Sequence, residues 1–318
     1  MKRLVLVLTL LAFLMVFFSQ AFAITIGVTT ITLRHEFFQA IEAGIRDAAA
    51  RAGVEVETFD PDLSMERQVN AMEDFIQKGV DGIILIAVDN RGLIPVVEEA
   101  VAAGIPVVTV DAPVMTDAVL TFIGTPNEQV GYELGLVARE YIVNELDGRA
   151  TLAVVRWLES QIQIERTEGF MRAIEDLENV RFVGEFQGYD RDTSFNVVSD
   201  LIMAYPDLNL IYAPAENSVV GAHAALETFE ALDRVAIIGF DMTDEALRGL
   251  QAGTIKAMAQ QQPYLQGVIA VQSLLIHLLG EETLGSNWLP KNRLVPANIY
   301  TPENVGDFVP DPTSPTVK

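Results

Sequence analysis

No cysteine occurs in the 318 residues, so no disulfide braces the fold and no thiolate serves as nucleophile or metal ligand. Histidine is nearly as scarce: His35, His223 and His277 are the only three. His223 and His277 fall in stretches that read as helices, where a packed or surface imidazole is the ordinary role. There is no H-E-x-x-H motif and no Cys/His cluster. Also missing are a G-x-x-x-x-G-K-[ST] phosphate loop, a G-x-G-x-x-G dinucleotide loop and a G-x-S-x-G nucleophile elbow. No metal and no cofactor is expected. Positive charge is short as well, with 21 Lys and Arg against 44 Asp and Glu, a formal net charge of -23. Such a surface repels nucleic acid and anionic lipid and serves solubility.

What is present begins with Lys2 and Arg3, then an apolar run from Leu4 to Phe18 broken only by Thr9, then Ala21-Phe22-Ala23. Basic start, apolar middle and an A-x-A site, in that order, describe a secretory signal peptide over 1–23, with cleavage expected after Ala23. The alternative is an uncleaved anchor, since the uncharged stretch approaches the ~20 residues a spanning helix needs. Cleavage leaves about 295 residues and, with Lys2 and Arg3 gone, a formal charge of -25, a chain long enough for one or two cores. No other stretch is read as long and apolar enough to cross a bilayer, so no direct membrane insertion is expected after cleavage. Without a cysteine for lipid attachment, an exported protein of this kind points to the periplasm.

From Ile24 on, short β-branched runs alternate with amphipathic stretches. Strands are expected at 24–29, 54–59, 82–87 and 106–110, with helices at 36–50, 64–78 and 93–103 between them. Ser64 is a candidate N-cap. Thr125-Pro126-Asn127-Glu128 reads as a capped helix start, with Thr as cap, Pro at the first position and Glu reaching back. A second series follows, with strands near 151–156, 181–185, 208–212 and 236–240 and helices near 163–177, 194–204, 218–229 and 244–251. Apolar strands alternating with helices predict α/β architecture with parallel sheets flanked by helices, and two series of similar size predict two Rossmann-like lobes. Val309–Lys318 has three prolines and reads as a flexible tail.

Ligands of open α/β sheets sit beyond the C-terminal strand ends, which selects the segments starting at Thr30, Val88, Asp111, Trp157, Ala213 and Asp241. Asp111 and Asp241 each end a strand, in different lobes. Two such acids could be a glycoside hydrolase dyad, or each could accept hydrogen bonds from solute hydroxyls. Phe37 and Phe38 open the first helix and cannot share one face. Phe38 fits the apolar stripe, which leaves Phe37 for a ligand's C–H face unless both pack in the core.

These segments resemble the ribose-binding branch of periplasmic sugar-binding proteins, the type I periplasmic binding fold of ABC importer receptors. The likeness rests on ITIGVTTITLRHEFFQAIEAGI, GVDGIILIAVD, AAGIPVVTVDAP, IERTEGFMRAI, VAIIGFDMTDEAL, AMAQQQPYLQG and LVPANIYTPENV, in that order along nearly all of the mature chain. Lactose-repressor-type regulators share the lobe pair but carry a DNA-binding headpiece, which is absent here. The resemblance implies a three-crossing hinge with the ligand in the cleft, an N-terminal lobe of 24–125 and 262–290, and a C-terminal lobe of 126–261 and 291–308. It also implies ligand roles. Phe37 and Phe38 match stacking aromatics, His35 stands at a family asparagine, and Asp111 and Asp241 match aspartates that accept from hydroxyls. Arg166 matches a donor to sugar oxygens, Tyr189 a second-lobe aromatic and Gln261 a hinge-side glutamine. Trp157 and Glu216 lie nearby and are candidates too, Trp157 either widening the stacking platform or packing under the sheet. Three departures, Ala87, Ala112 and Ala215, replace two asparagines and an arginine and argue against ribose itself.

The function expected is a periplasmic solute-binding protein, acting as a monomer, that delivers a sugar or polyol to an ABC permease in the inner membrane. It would not be an enzyme. The alternatives are a receptor for a sugar-like signal molecule in chemotaxis or quorum sensing, and a glycoside hydrolase using Asp111 and Asp241.

Overall fold

The computed structural model describes residues 24–284 and 289–309; the expected signal segment and the tail beyond Val309 lie outside the described residues. In chain order the elements are β1 (Thr25–Thr29), α1 (Glu36–Ala52), β2 (Glu55–Phe59), α2 (Met65–Lys78), β3 (Gly82–Leu85), α3 (Ile94–Ala102), β4 (Val107–Val110) and β5 (Thr121–Gly124). Then come α4 (Asn127–Glu145), β6 (Ala150–Arg156), α5 (Gln161–Ile174), β7 (Val180–Gln187), α6 (Arg191–Ala204), β8 (Leu210–Ala213), α7 (Glu216–Thr228) and β9 (Ala236–Phe240). The last are α8 (Asp244–Ala252), β10 (Ile255–Gln260), α9 (Pro263–Leu284), β11 (Asn292–Leu294) and β12 (Asn298–Tyr300). Contacts group the chain into two units, residues up to Phe122 with Gly267–Lys291, and Ile123–Gln266 with the residues from Asn292 on.

The first sheet has the order β11-β5-β4-β3-β1-β2. Its central strands pair in parallel, β1 with β2 and β3, and β3 with β4. Every residue of β3 and β4 is buried, as a strand covered on both faces requires. Ser64 caps α2 as expected, its side chain accepting from Arg67 N, and α2 turns Ala71, Met72 and Phe75 inward. These meet Val96, Val97 and Ala100 of α3 over one face of the sheet.

On α1 and α9 the packing is close. A Cβ on Gly267 would stand 2.1 Å from the Ile41 carbonyl oxygen, so only glycine lets the two helices approach this far. Here the structure corrects the sequence reading. Pro263–Gly280 is a helix long and apolar enough to cross a membrane, with mean hydropathy 1.3 over 18 residues. The physical reason is its role as a packing helix: Gln266, Ala270, Val271, Ser273 and Leu274 are buried, and Leu274 covers Gly82 of β3.

The second sheet has the order β12-β10-β9-β8-β6-β7, the first sheet's order repeated with each strand replaced by its counterpart. Its central pairings are parallel, and β12 runs antiparallel to β10. One face is covered by α6, α7 and α8 through Val198, Leu201, Val219, Ala222 and Leu250. The other is covered by α4 and α5 through Val130, Leu134, Ala138, Phe170 and Ile174. Backbones of α4 and α5 touch: a Cβ on Gly131 would lie 2.1 Å from Arg166 O, and one on Gly169 2.0 Å from Glu128 O. This contact sets the height of α5, and with it Arg166.

The start of α4 is a second correction. The cap position falls on Pro126, with no side-chain capping bond. Thr125 Oγ1 instead donates to Gln261 Oε1 at 2.7 Å. Strands β5, β10, β11 and β12 had no counterpart in the sequence reading.

Candidate functional site

Asp111 directly follows β4 and Asp241 directly follows β9, counterparts in the two sheet orders. Both are non-glycine residues in the left-handed region, with φ of 61° and 66°. Such a conformation costs about 1 kcal/mol for a residue with a Cβ, and aspartate is among the few that tolerate it. At each position the backbone turns sharply off its strand and carries the carboxylate to the C-terminal edge.

In the second unit Arg166, Asp241 and Gln261 come together. Arg166, on α5, is only 4 % exposed. Its Nε donates to Asn127 Oδ1 at 2.9 Å and its Nη1 to Pro214 O at 2.9 Å. The guanidinium lies 4.0 Å over the Phe240 ring, and Nη1 is 3.9 Å from Asp241 Oδ2. A buried cation needs such partners. Two of its five N–H donors serve Asn127 and Pro214. Gln261, 5 % exposed, donates through Nε2 to both oxygens of Asp241, at 2.9 and 3.3 Å. Beneath Arg166, the Tyr212 hydroxyl donates to its backbone carbonyl, and complete burial pushes that phenol's pKa far up, so it stays a neutral donor. Glu216, half-buried, stands in the first turn of α7.

Trp157 is 48 % exposed and Tyr189 53 %, so the indole does not pack under the sheet. They follow the adjacent strands β6 and β7, joined where Gly188 N donates to Arg156 O at 2.8 Å. The sequence reading missed Arg156. It is 8 % exposed, pairs with Glu185, and donates through Nη1 to the carbonyls of Trp157 and Leu158 at 3.0 Å each. An arginine ending an otherwise apolar strand was the available signal.

In the first unit, His35 is the N-cap of α1, its Nδ1 accepting from Phe37 N at 3.4 Å. Phe37 and Phe38 are both half-buried and meet edge to face, ring centres 5.4 Å apart. Neither is sealed in the core. Asp111 is half-buried at the end of β4, with β3 between it and β1. The missed residue here is Gln68, fully buried on α2. Its Nε2 donates to Thr29 Oγ1, Thr30 O and Ile86 O, and its Oε1 accepts from Val88 N at 2.8 Å, tying the ends of β1 and β3 together. A glutamine on the apolar stripe with Ala71, Met72 and Phe75 was its trace in the sequence. Of the three departures, Ala87 is 3 % exposed and belongs to the core, while Ala112 and Ala215 are half-buried at strand ends. The loop after β3 is held by Asp89, whose carboxyl is kept below its usual pKa by the N–H groups of Gly92 and Arg91.

A cavity of about 500 Å³ opens elsewhere, at the N-terminal ends of β6 and β7, lined by Arg149, Thr151, Arg181, Asp207 and Asn209. It contains the Arg181–Asp207 ion pair and none of the expected site residues.

Paired parallel sheets with acids on left-handed turns and a buried arginine at the strand ends define a binding protein of the two-unit α/β class. The chain belongs to the periplasmic binding protein domain family, whose model matches residues 26–282. It is 28 % identical over 250 residues to the ribose import binding protein of Bacillus subtilis, covering 78 % of this chain and 80 % of that one. It is 25 % identical to the D-apiose import binding protein of Paraburkholderia graminis, with 88 % of each covered. Among solved structures, a sugar-binding protein of a sugar ABC transporter from Bacillus halodurans matches with TM-score 0.78 and 26 % identity, over 90 % of this chain and 100 % of that one. A second Bacillus halodurans ABC transporter solute-binding protein, with bound myo-inositol, matches with TM-score 0.76 and 25 % identity, covering 89 % and 96 %.

Proposed function

We propose that this chain is the solute receptor of an ABC importer, that it binds a sugar or polyol, and that it catalyses no reaction. The observation that carries this is Arg166, a buried guanidinium fixed by Asn127 and Pro214 beside Asp241. Cation and carboxylate together match vicinal hydroxyls, which need donors and acceptors side by side. Names of relatives from ribose import, apiose import and inositol binding support the solute class.

In this proposal the second unit contributes Arg166, Asp241, Gln261, Glu216, Trp157 and Tyr189. The first contributes Asp111 with His35, Phe37 and Phe38. The two units act as lobes of 24–125 with 262–290 and of 126–261 with 291–308, joined by the three chain crossings. Export with cleavage after Ala23 and a periplasmic location complete the reading, supported by Lys2, Arg3 and the apolar run to Phe18. The membrane partner is an ABC permease, and the receptor works as a monomer.

The test is a thermal-shift screen of the mature protein against pentoses, hexoses, deoxy-sugars and polyols. A solute at a hundred times its Kd stabilises the folded state by about 2.7 kcal/mol. The expected result is a rise in Tm with at least one sugar or polyol, lost in Arg166→Ala. No rise with any of them overturns the solute class, and an equal rise in the variant overturns the site.

A further inference from the structure

The C-terminal edge of the second sheet changes character along its strands. Taken in the order β10-β9-β8-β6-β7, it is polar first: Gln261 follows β10, Asp241 follows β9, and Arg166 bonds Pro214 just past β8. It then presents a small side chain and two half-exposed rings, with Glu216 and Glu159 beside them. Ala215 lies past β8, Trp157 past β6 and Tyr189 past β7. Neighbouring strands are about 4.8 Å apart, so the strand of Trp157 stands roughly 10 Å from that of Asp241.

The exposure of Trp157 is built in. All four backbone polar groups of Trp157 and Leu158 are held by side chains. Trp157 N donates to Gln163 Oε1 at 2.8 Å and Leu158 N to Gln187 Oε1 at 2.9 Å. Both carbonyls accept from Arg156. The loop is fixed by these bonds, and it presents a half-exposed indole whose N–H edge meets the Glu159 carboxylate. Burying a ring of this size is favourable, so holding it in water reserves that gain for a partner.

We propose that Trp157, with Ala215 and Tyr189 beside it, receives an apolar substituent of the solute. The solute is then a sugar bearing a deoxy methyl group or an apolar aglycone, with its hydroxyls held at Arg166 and Asp241. This rests on the sugar reading above. Ala215 supplies the discrimination: a hydroxyl facing it is left without a partner, whereas a methyl or aryl group loses nothing there. Indole and phenol rings add a flat surface that an apolar group covers.

The experiment is titration calorimetry of the mature protein with matched pairs. Galactose against fucose and mannose against rhamnose, in both enantiomeric series, probe the methyl group. Methyl against phenyl glycosides of the same sugars probe an aglycone. In at least one pair the apolar member is expected to bind roughly fivefold or more tightly. Trp157→Ala should erase that advantage by weakening the apolar member at least roughly fivefold more than its partner, with Tm in the absence of solute unchanged; Trp157→Phe should restore part of it. Binding confined to the hydroxylated or methyl-glycoside members overturns the proposal. So does an advantage that survives Trp157→Ala, or a variant that weakens both members equally. If no sugar in the panel binds, the failure lies in the sugar reading itself, because these pairs then carry no signal to divide.

Discussion

Gln261 donates one hydrogen bond to each carboxylate oxygen of Asp241, while its own amide oxygen accepts from the buried Thr125 hydroxyl. Thr125 accepts in turn from Gln266 Nε2 at 3.2 Å. The aspartate proposed to hold the solute is therefore the end of a chain of buried polar groups that begins next to two chain crossings, Phe122 to Ile123 and Gln266 to Gly267.

Removing the middle of this chain strands both neighbours. Gln261→Ala leaves the Thr125 hydroxyl without an acceptor and Asp241 without its donor. The expected loss is about 1–3 kcal/mol of stability in urea unfolding and at least a tenfold weaker Kd for a bound sugar. Gln261→Glu separates the two effects. It keeps the acceptor for Thr125 and places a second carboxylate against Asp241, so solute affinity should fall further than in the alanine variant while stability falls less at acid pH. Equal affinity in both variants and the native protein would show that Asp241 needs no support from Gln261.

Backbone contact between α4 and α5 gives a second expectation. Gly169→Ala forces a methyl group against the Glu128 carbonyl, and neither backbone can yield without moving its helix. A loss of about 2 kcal/mol or more is expected, with weaker solute binding because Arg166 rides on the same helix. Gly280→Ala is the control, since a Cβ there meets nothing within 4 Å. That change should raise stability by up to about 1 kcal/mol, as helix propensity favours alanine. Similar Tm shifts for the two variants would rule out the close contact as the cause.

Much of this architecture was legible because burial writes itself as periodicity. Strands such as Gly82–Leu85 and Ala236–Phe240 are apolar throughout, and α2 announces itself with a Ser64 cap and an apolar stripe. Short or weakly β-forming strands left no such trace. β10 reads Ile-Lys-Ala-Met-Ala-Gln, which suits a helix as well as a strand, and it becomes a strand because β9 lies alongside. The capping pattern at Thr125 failed for a related reason: a residue 136 positions away claims the hydroxyl. Asp111 and Asp241 could be picked out as acids at strand ends, and Arg166 through the resemblance carried by its R-x-x-G-F segment. The exposure of Trp157 could not, because it depends on bonds from Arg156, Gln163 and Gln187 that local patterning does not encode.

Gln68 tests whether the first unit's strand ends need to be tied. Gln68→Leu keeps the volume and removes every hydrogen bond, orphaning Thr30 O, Ile86 O and Val88 N in the interior. About 3 kcal/mol of stability should be lost. If the tie also positions the segments carrying His35 and Phe37, solute affinity measured well below the variant's Tm should fall roughly tenfold. A lower Tm with unchanged affinity would limit Gln68 to holding the fold.

Asp190 gives a pH dependence of known sign. Its carboxylate caps α6 by accepting from Thr193 N at 2.7 Å, and that bond, with the Thr193 hydroxyl, holds its pKa below the ordinary aspartate value. A carboxyl depressed on folding stabilises the native state fully above its unfolded pKa, near 3.9, and loses that contribution as pH falls through the lower folded value. The native protein should therefore exceed Asp190→Ala in Tm by a constant margin from pH 7 down to about 5, and the margin should shrink as pH drops below about 4. Asp190→Asn keeps an acceptor oxygen and cannot titrate, so its margin over the alanine variant should stay flat across the same range. A margin between the native protein and Asp190→Ala that grows toward acid pH would mean the charged carboxylate is a burden rather than a cap, contrary to the geometry at Thr193.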